Sequence, residues 1–359
     1  MSASSESPSK DRVVTDGFAF VEFTTNDPEG MGTLFNRLGF TLVGQAVGKQ
    51  VRRYRQRDAE FIVNAEPNGF LDAHRASVRG IGIRVNDANA ALRAATNGGA
   101  RLASEPDVGA YAVNAQAIMG IGDSLVYFLE GSLDRFFEPV LAARGVSESD
   151  AMIMAVDHTS NIVHPQNLDR WADFYASTFG FVQKQYLDVK GQRTGMRARS
   201  MVAPCGKLSI PIAASAHDTE GALNQNDEFI RDYGGEGIQH IALLSADLVQ
   251  TIDAFESAGI QFMDAPSHAY YEGLDQRIPG HGLPVRDLER RGLLVDGKSE
   301  GRLLLQRFTR RQIGPVFFEV IERRGEDGFG EGNFKALFEA QEKDQARRGS
   351  LKATEAKAV

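Results

Sequence analysis

A chain of 359 residues with 42% hydrophobic side chains is long enough to bury two cores, because a single core rarely grows past roughly 250 residues. Its 48 acidic residues outnumber 40 lysines and arginines, for a net charge of -8, and no dense basic patch interrupts the balance; this excludes a nucleic-acid or anionic-membrane surface and favours a small soluble ligand. Cys205 is the single cysteine, which excludes an intramolecular disulfide, and the polar start from Met1 to Arg12 with no long apolar run leads to the expectation of a cytoplasmic protein.

Residues 1–14 and 346–359 lack apolar periodicity and read as solvated tails. Between them the expected domains run from 15 to 145 and from 150 to 345. Phe18 to Phe23 forms the first alternating strand, and a helix with Leu34 and Phe35 stops at Leu38-Gly39-Phe40. Gly80-Ile81-Gly82-Ile83 opens the next unit, with a helix through Ala91, Leu92 and Ala95 to Gly98. Ala155-Val156-Asp157-His158 opens a third, whose helix carries Trp171, Phe174 and Tyr175 and stops at Phe179-Gly180-Phe181, the glycine suiting a left-handed cap. Gly237-Ile238-Gln239-His240 opens the fourth, with Ile252, Phe255 and Gly259. Each pair of units therefore predicts one domain.

This α+β pattern of duplicated βαβββ modules resembles the vicinal-oxygen-chelate, or glyoxalase-like, superfamily, which implies two open half-barrels. On that duplication His158 aligns with Phe23, His240 with Ile83, and Glu319 falls in a last strand matching Val126-Tyr127-Phe128-Leu129-Glu130. The first half then lacks metal ligands. Two imidazoles and one carboxylate match the face that leaves positions open on iron(II), whereas structural zinc wants a closed shell that Cys205 alone cannot supply. Glu319, set among Phe317, Phe318, Val320 and Ile321, is costly to bury without a cation or a strong partner. His74, His217, His268 and His281 lie in polar or turn-rich stretches and read as surface residues, and His164 lies beyond its strand.

A more specific likeness rests on Gly237-Ile238-Gln239-His240-Ile241-Ala242, on Arg302-Leu303-Leu304-Leu305-Gln306-Arg307-Phe308, and on the run from Gly314 through Glu319 to Gly328-Phe329-Gly330-Glu331-Gly332-Asn333-Phe334-Lys335-Ala336-Leu337-Phe338. The chain resembles the 4-hydroxyphenylpyruvate dioxygenase family. The resemblance implies Fe(II) on His158, His240 and Glu319, bound by an aromatic α-keto acid, with dioxygen as co-substrate and homogentisate and carbon dioxide as products. It also implies that Ser200, Gln225, Gln239 and Gln306 orient the substrate or its hydrogen-bond network. Phe308, Phe317, Phe329 and Phe334 would wall the aromatic ring.

Phe334, Leu337 and Phe338 stand at i, i+3 and i+4 after a glycine-rich turn, predicting a C-terminal lid helix. One departure from the family pattern is Pro211-Ile212-Ala213, where a Pro-Leu-Asn run is usual; Ala213 offers no side-chain hydrogen bond. Hydroxymandelate synthase, with the same substrate and a benzylic product, therefore stays open as an alternative. So do an extradiol ring-cleaving dioxygenase and, from another class, a metal-free binding protein on the same scaffold. A homo-oligomer, dimer or tetramer, is expected.

Overall fold

The computed structural model describes residues 13–104, 112–113, 115–140, 152–190, 195–216, 224–299, 301–334, 336 and 345. The first half runs β1 (Thr15–Thr24), α1 (Pro28–Arg37), β2 (Thr41–Gln45), β3 (Val51–Gln56), β4 (Ala59–Asn64), α2 (Gly69–His74), β5 (Ser77–Val85), α3 (Ala88–Asn97), β6 (Gln116–Met119), β7 (Leu125–Leu129) and β8 (Glu138–Pro139). The second runs β9 (Ile153–Ile162), α4 (Leu168–Phe179), β10 (Val182–Lys190), β11 (Gly195–Val202), β12 (Ser209–Ala216), α5 (Gln225–Tyr233), β13 (Gly237–Ser245) and α6 (Leu248–Ser257). It continues through α7 (His268–Glu272), α8 (Leu274–Arg277), α9 (Val285–Arg291), β14 (Leu294–Ser299), β15 (Arg302–Phe308) and β16 (Phe317–Arg324). Among the described residues no helix is long and apolar enough to cross a membrane.

Local chemistry sets the helix limits. Asp27, Asp87 and Asp247 each cap a helix that follows a strand, accepting from the backbone N–H of Gly30, Ala90 and Gln250 at 2.8, 2.8 and 3.0 Å. Such a cap contributes about 1 kcal/mol. Gly180 ends α4 in the left-handed conformation at φ 68°, its N–H returning to Ala176 and Tyr175, as the Phe-Gly-Phe pattern predicts.

Two curled eight-stranded sheets result, in the orders β6-β7-β5-β1-β4-β3-β2-β8 and β10-β11-β12-β9-β13-β16-β15-β14. Leaving out the edge strands β8 and β14, the two orders of seven strands superpose when one is read backwards. Antiparallel pairing of β1 with β5 recurs as β9 with β13, and parallel pairing of β5 with β7 recurs as β13 with β16. One hydrophobic core draws on both sheets and on α1, α3, α4 and α6.

The pairing corrects the alignment read from sequence. In the second sheet Ala242 faces both His158 and Glu319, and His240 faces Ser160, with Asp157 and Gln239 each left as the extra residue of a bulge. The first sheet carries the same two bulges, at Ala19 and Arg79, with Phe20 facing Gly82 and Glu22 facing Gly80. His158 therefore corresponds to Phe20, not Phe23; His240 to Gly80, not Ile83; and Glu319 to Tyr127, which pairs with Gly82. Phe23 instead lies in the shared core, against Phe35, Phe61 and Phe318. Because the bulges fall at equivalent places in both halves, they mark the register that the strand letters alone leave open.

The fourth unit departs from the simple repeat, because α7, α8 and α9 are inserted between its helix and its last three strands. Tyr271, Leu274 and Leu288 are buried, so the insertion packs as part of the core. This explains a second correction. His281 is 6% exposed, with Nε2 at 2.9 Å from Asp275 and Nδ1 accepting from the Leu283 N–H, so it is not a surface residue. His74 is half-buried and stacks on Tyr233, His268 is exposed, and His217 lies outside the described residues.

Candidate metal centre and binding cavity

Three strands of the second sheet bring His158, His240 and Glu319 together on its inner face. Their ligand atoms all lie within 4.8 Å of one another, the one such group among the described residues. Nε2 of His158 is 3.1 Å, and Nε2 of His240 3.6 Å, from the same Glu319 oxygen, Oε2. Glu319 is 2% exposed. Burial and the neighbouring His158 push His240 well below its ordinary pKa, so it is held neutral, the form that ligates. Burial opposes protonation of His158 as well, but the carboxylates of Glu319 and Asp157 outweigh it and raise its pKa to about 9 in the absence of a cation.

A buried carboxylate oxygen facing two imidazole edges fits a divalent cation. The set offers two nitrogens and one oxygen and no thiolate, a donor set suited to Fe(II) with coordination positions left over. His158 is further fixed by Asp157, 2.8 Å from its Nδ1, and Asp157 is in turn gripped by Arg323 through two bonds of 2.7 and 2.8 Å. Burial raises the Asp157 carboxyl pKa, yet Arg323 and His158 together hold it below the usual carboxylate range. This carboxylate–histidine pair sets the tautomer that leaves Nε2 free for metal. The sequence reading missed Asp157, because neighbours on a regular strand point to opposite faces, and only the bulge brings its carboxylate beside its own neighbour.

The triad lies in the wall of a cavity enclosed by β9 to β13, β15, β16, α5 and the segment after β16. Ser200, Gln225, Gln239, Gln306, Phe308, Phe329 and Phe334 all line it. Phe317 does not. Its ring stacks on the His240 imidazole, 4.9 Å between centroids at 24°, so it backs the imidazole instead of walling the cavity. It stands two residues from Glu319 along the same strand, and the cross-strand pairing of His240 with Phe317 places the two rings together. Phe329 meets His158 edge-on at 5.7 Å, and Phe308 meets His240 at 6.3 Å.

Gln306 donates from Nε2 to Glu319 Oε1 at 2.8 Å, so its amide serves the carboxylate directly. Ala213 lies in the cavity wall. So does Asn226, which the sequence reading did not single out: it is 2% exposed and its side-chain nitrogen has no hydrogen-bond partner among the described residues. A buried, unsatisfied donor in a cavity wall marks a place for an acceptor on a ligand. The expected lid begins inside this wall, at Phe329 and Phe334, but Leu337 and Phe338 lie outside the described residues.

The family described as hydroxyphenylpyruvate dioxygenase, N-terminal, matches residues 10–140, and the glyoxalase/bleomycin resistance protein/dioxygenase superfamily matches residues 155–287. A 4-hydroxyphenylpyruvate dioxygenase from Pseudomonas aeruginosa is 40% identical over 94% of this chain and 96% of its own. The chain belongs to the 4-hydroxyphenylpyruvate dioxygenase family. Another relative, the hemolysin VllY of Vibrio vulnificus, is 43% identical over 94% of this chain and 97% of its own. A substituted 4-hydroxymandelate synthase from Streptomyces coelicolor superposes with a TM-score of 0.79 over 92% of this chain and all of that one. At 24% identity that likeness speaks for the shared fold.

Proposed function

We propose that this chain is an iron(II)-dependent 4-hydroxyphenylpyruvate dioxygenase, converting 4-hydroxyphenylpyruvate and dioxygen to homogentisate and carbon dioxide in the breakdown of tyrosine and phenylalanine. The observation that carries the reading is the convergence of two imidazoles and one buried carboxylate in a cavity edged with phenylalanines. His158, His240 and Glu319 would hold the iron, which when bound supplies Lewis acidity and one-electron chemistry toward dioxygen.

The protein's part is charge, shape and exclusion of water. One carboxylate against a divalent cation leaves a net positive site, which attracts the anionic keto acid. Phe308, Phe329 and Phe334 offer ring faces and edges to the substrate ring, and Ser200, Gln225, Gln239 and Asn226 offer hydrogen bonds around it. The phenylalanines also keep bulk water from the reacting centre.

The test is anaerobic reconstitution with Fe(II), then air and 4-hydroxyphenylpyruvate, with the products identified by mass. Homogentisate and one carbon dioxide per turnover are expected. Ala213 in the cavity wall favours one second reading, benzylic hydroxylation, since it gives the substrate no hydrogen bond on that side. A 4-hydroxymandelate product would establish that reading and overturn the first.

A further inference from the structure

One chain of hydrogen bonds runs from Glu319 through Gln306 and Asn333, both in the cavity wall, to a backbone amide on another strand. Glu319 Oε1 accepts from Gln306 Nε2 at 2.8 Å, Gln306 Oε1 accepts from Asn333 Nδ2 at 2.8 Å, and Asn333 Oδ1 accepts from the Tyr270 hydroxyl at 2.6 Å. The Tyr270 oxygen accepts from the Val295 N–H at 2.8 Å. Asn333 is 2% exposed, Gln306 3% and Val295 1%.

The carboxylate end sets the direction of the chain, and at the far end the Val295 N–H donates to the Tyr270 oxygen. A backbone N–H only donates, and an ionised carboxylate only accepts. With Glu319 accepting, the Gln306 nitrogen turns to it and the Gln306 oxygen to the Asn333 nitrogen, which leaves the Asn333 oxygen for Tyr270; the Tyr270 hydroxyl has two acceptors in reach, Asn333 at 2.6 Å and the Val295 carbonyl at 3.1 Å, and the shorter contact goes to Asn333. Flipping either amide sets oxygen against oxygen or nitrogen against nitrogen in a buried place.

We infer that Tyr270 and Asn333 are positioning residues, which act through Gln306 to hold Glu319 in the orientation that ligates metal. The inference rests on Glu319 being a metal ligand. Tyr270 sits on α7 in the inserted helices, and Asn333 follows β16 in the segment that bears Phe329 and Phe334. The chain thus ties the wall of the cavity to the orientation of a ligand. Gly330 fits the same account: a side chain there would overlap the Gln306 amide, and its φ is 80°. The Gly332 N–H, bonded to Asp296 at 2.9 Å, pins the segment from its other side.

The test uses the full chain, stripped of metal and titrated with cobalt(II), and reads the dissociation constant and the visible ligand-field spectrum. Wild type, His158→Ala, Tyr270→Phe, Asn333→Leu and the Tyr270→Phe/Asn333→Leu double variant are compared, with the melting temperature of each metal-free protein. Tyr270→Phe and Asn333→Leu should each weaken cobalt binding on the order of tenfold, as lost ligand support does, and shift the ligand-field bands. The double variant should bind no worse than the weaker single one, because one cut already breaks a single chain.

Cobalt constants within twofold of wild type and unchanged bands for both single variants would overturn the inference, as would additive losses in the double. Wild-type protein that binds no cobalt, or binding that survives His158→Ala, would overturn the metal reading itself and the inference with it. Tyr270→Phe keeps the ring and its packing, and it decides the matter alone should Asn333→Leu not fold.

Discussion

The two oxygens of Glu319 serve different partners, Oε2 turned to the imidazoles and Oε1 to Gln306. Glu319→Gln keeps the volume and removes the charge. Metal retained after reconstitution and dialysis should fall by more than about 100-fold in affinity, beyond the roughly 10- to 100-fold typical when only a ligand's supporting partner is lost. Metal analysis of the dialysed protein checks this, and full retention would exclude Glu319 as a ligand. Asn226 gives an opposite pairing of effects. Its unsatisfied buried nitrogen costs the free protein about 1–3 kcal/mol, so Asn226→Leu should leave the melting temperature unchanged or higher. The same substitution should raise KM for the keto acid by about fivefold, through loss of a hydrogen bond worth about 1 kcal/mol. Unchanged KM would remove Asn226 from the binding surface. The triad was legible in sequence because His, His and Glu are rare within apolar strands, whereas Asp157 and Asn226 were not, because their roles depend on a bulge and on where α5 begins.

At the scale of elements, the duplicated strand–helix pattern was readable from the apolar spacing and the glycine stops, down to Gly180. The inserted helices were not, since pieces of 5, 4 and 7 residues are too short to show a period. What fastens them is specific chemistry. Arg291 on α9 grips Asp253 on α6 through two bonds of 2.8 and 2.7 Å, and this contact holds the Asp253 carboxyl below its ordinary pKa. A carboxylate whose folded pKa is depressed contributes stability above its unfolded value near 4 and loses it as pH falls through the folded value. The Asp253 side chain is 45% exposed, so solvent screening limits the contribution to less than about 1 kcal/mol. Asp253→Asn should therefore melt slightly below wild type at pH 7, with the gap closing below pH 4. A gap that widened in acid would contradict the assignment.

Across the whole molecule, the half without the triad serves as a support for the half that has it. At the places of His158, His240 and Glu319 the first sheet carries Phe20, Gly80 and Tyr127. Its inner face is filled by Glu22, fully buried, which accepts from Asn64 and Tyr127 at 2.8 and 2.6 Å and pairs with Arg79 at 3.3 Å. Phe61 of this half reaches Phe318 of the other at 6.0 Å, and Phe128 reaches Phe179 at 5.8 Å. A close junction lies at Gly122, where φ is 60° and a side chain would overlap the carbonyl of Glu236. Glu236 stands just before β13, the strand of Gln239 and His240, and its carboxylate fastens the His164 N–H, Asn167 and Trp171 at 2.8, 2.6 and 2.9 Å. Gly122→Ala should cost about 2–4 kcal/mol, from a left-handed backbone forced on alanine and from crowding at a packed interface. Because the core is continuous, that loss should lower one cooperative melting transition for the whole chain, and metal affinity should fall with it as β13 shifts. Calorimetry of the metal-free variant tests both statements: a transition confined to half the expected enthalpy would mean that the halves unfold separately, and an unchanged midpoint would mean that the turn does not carry the junction.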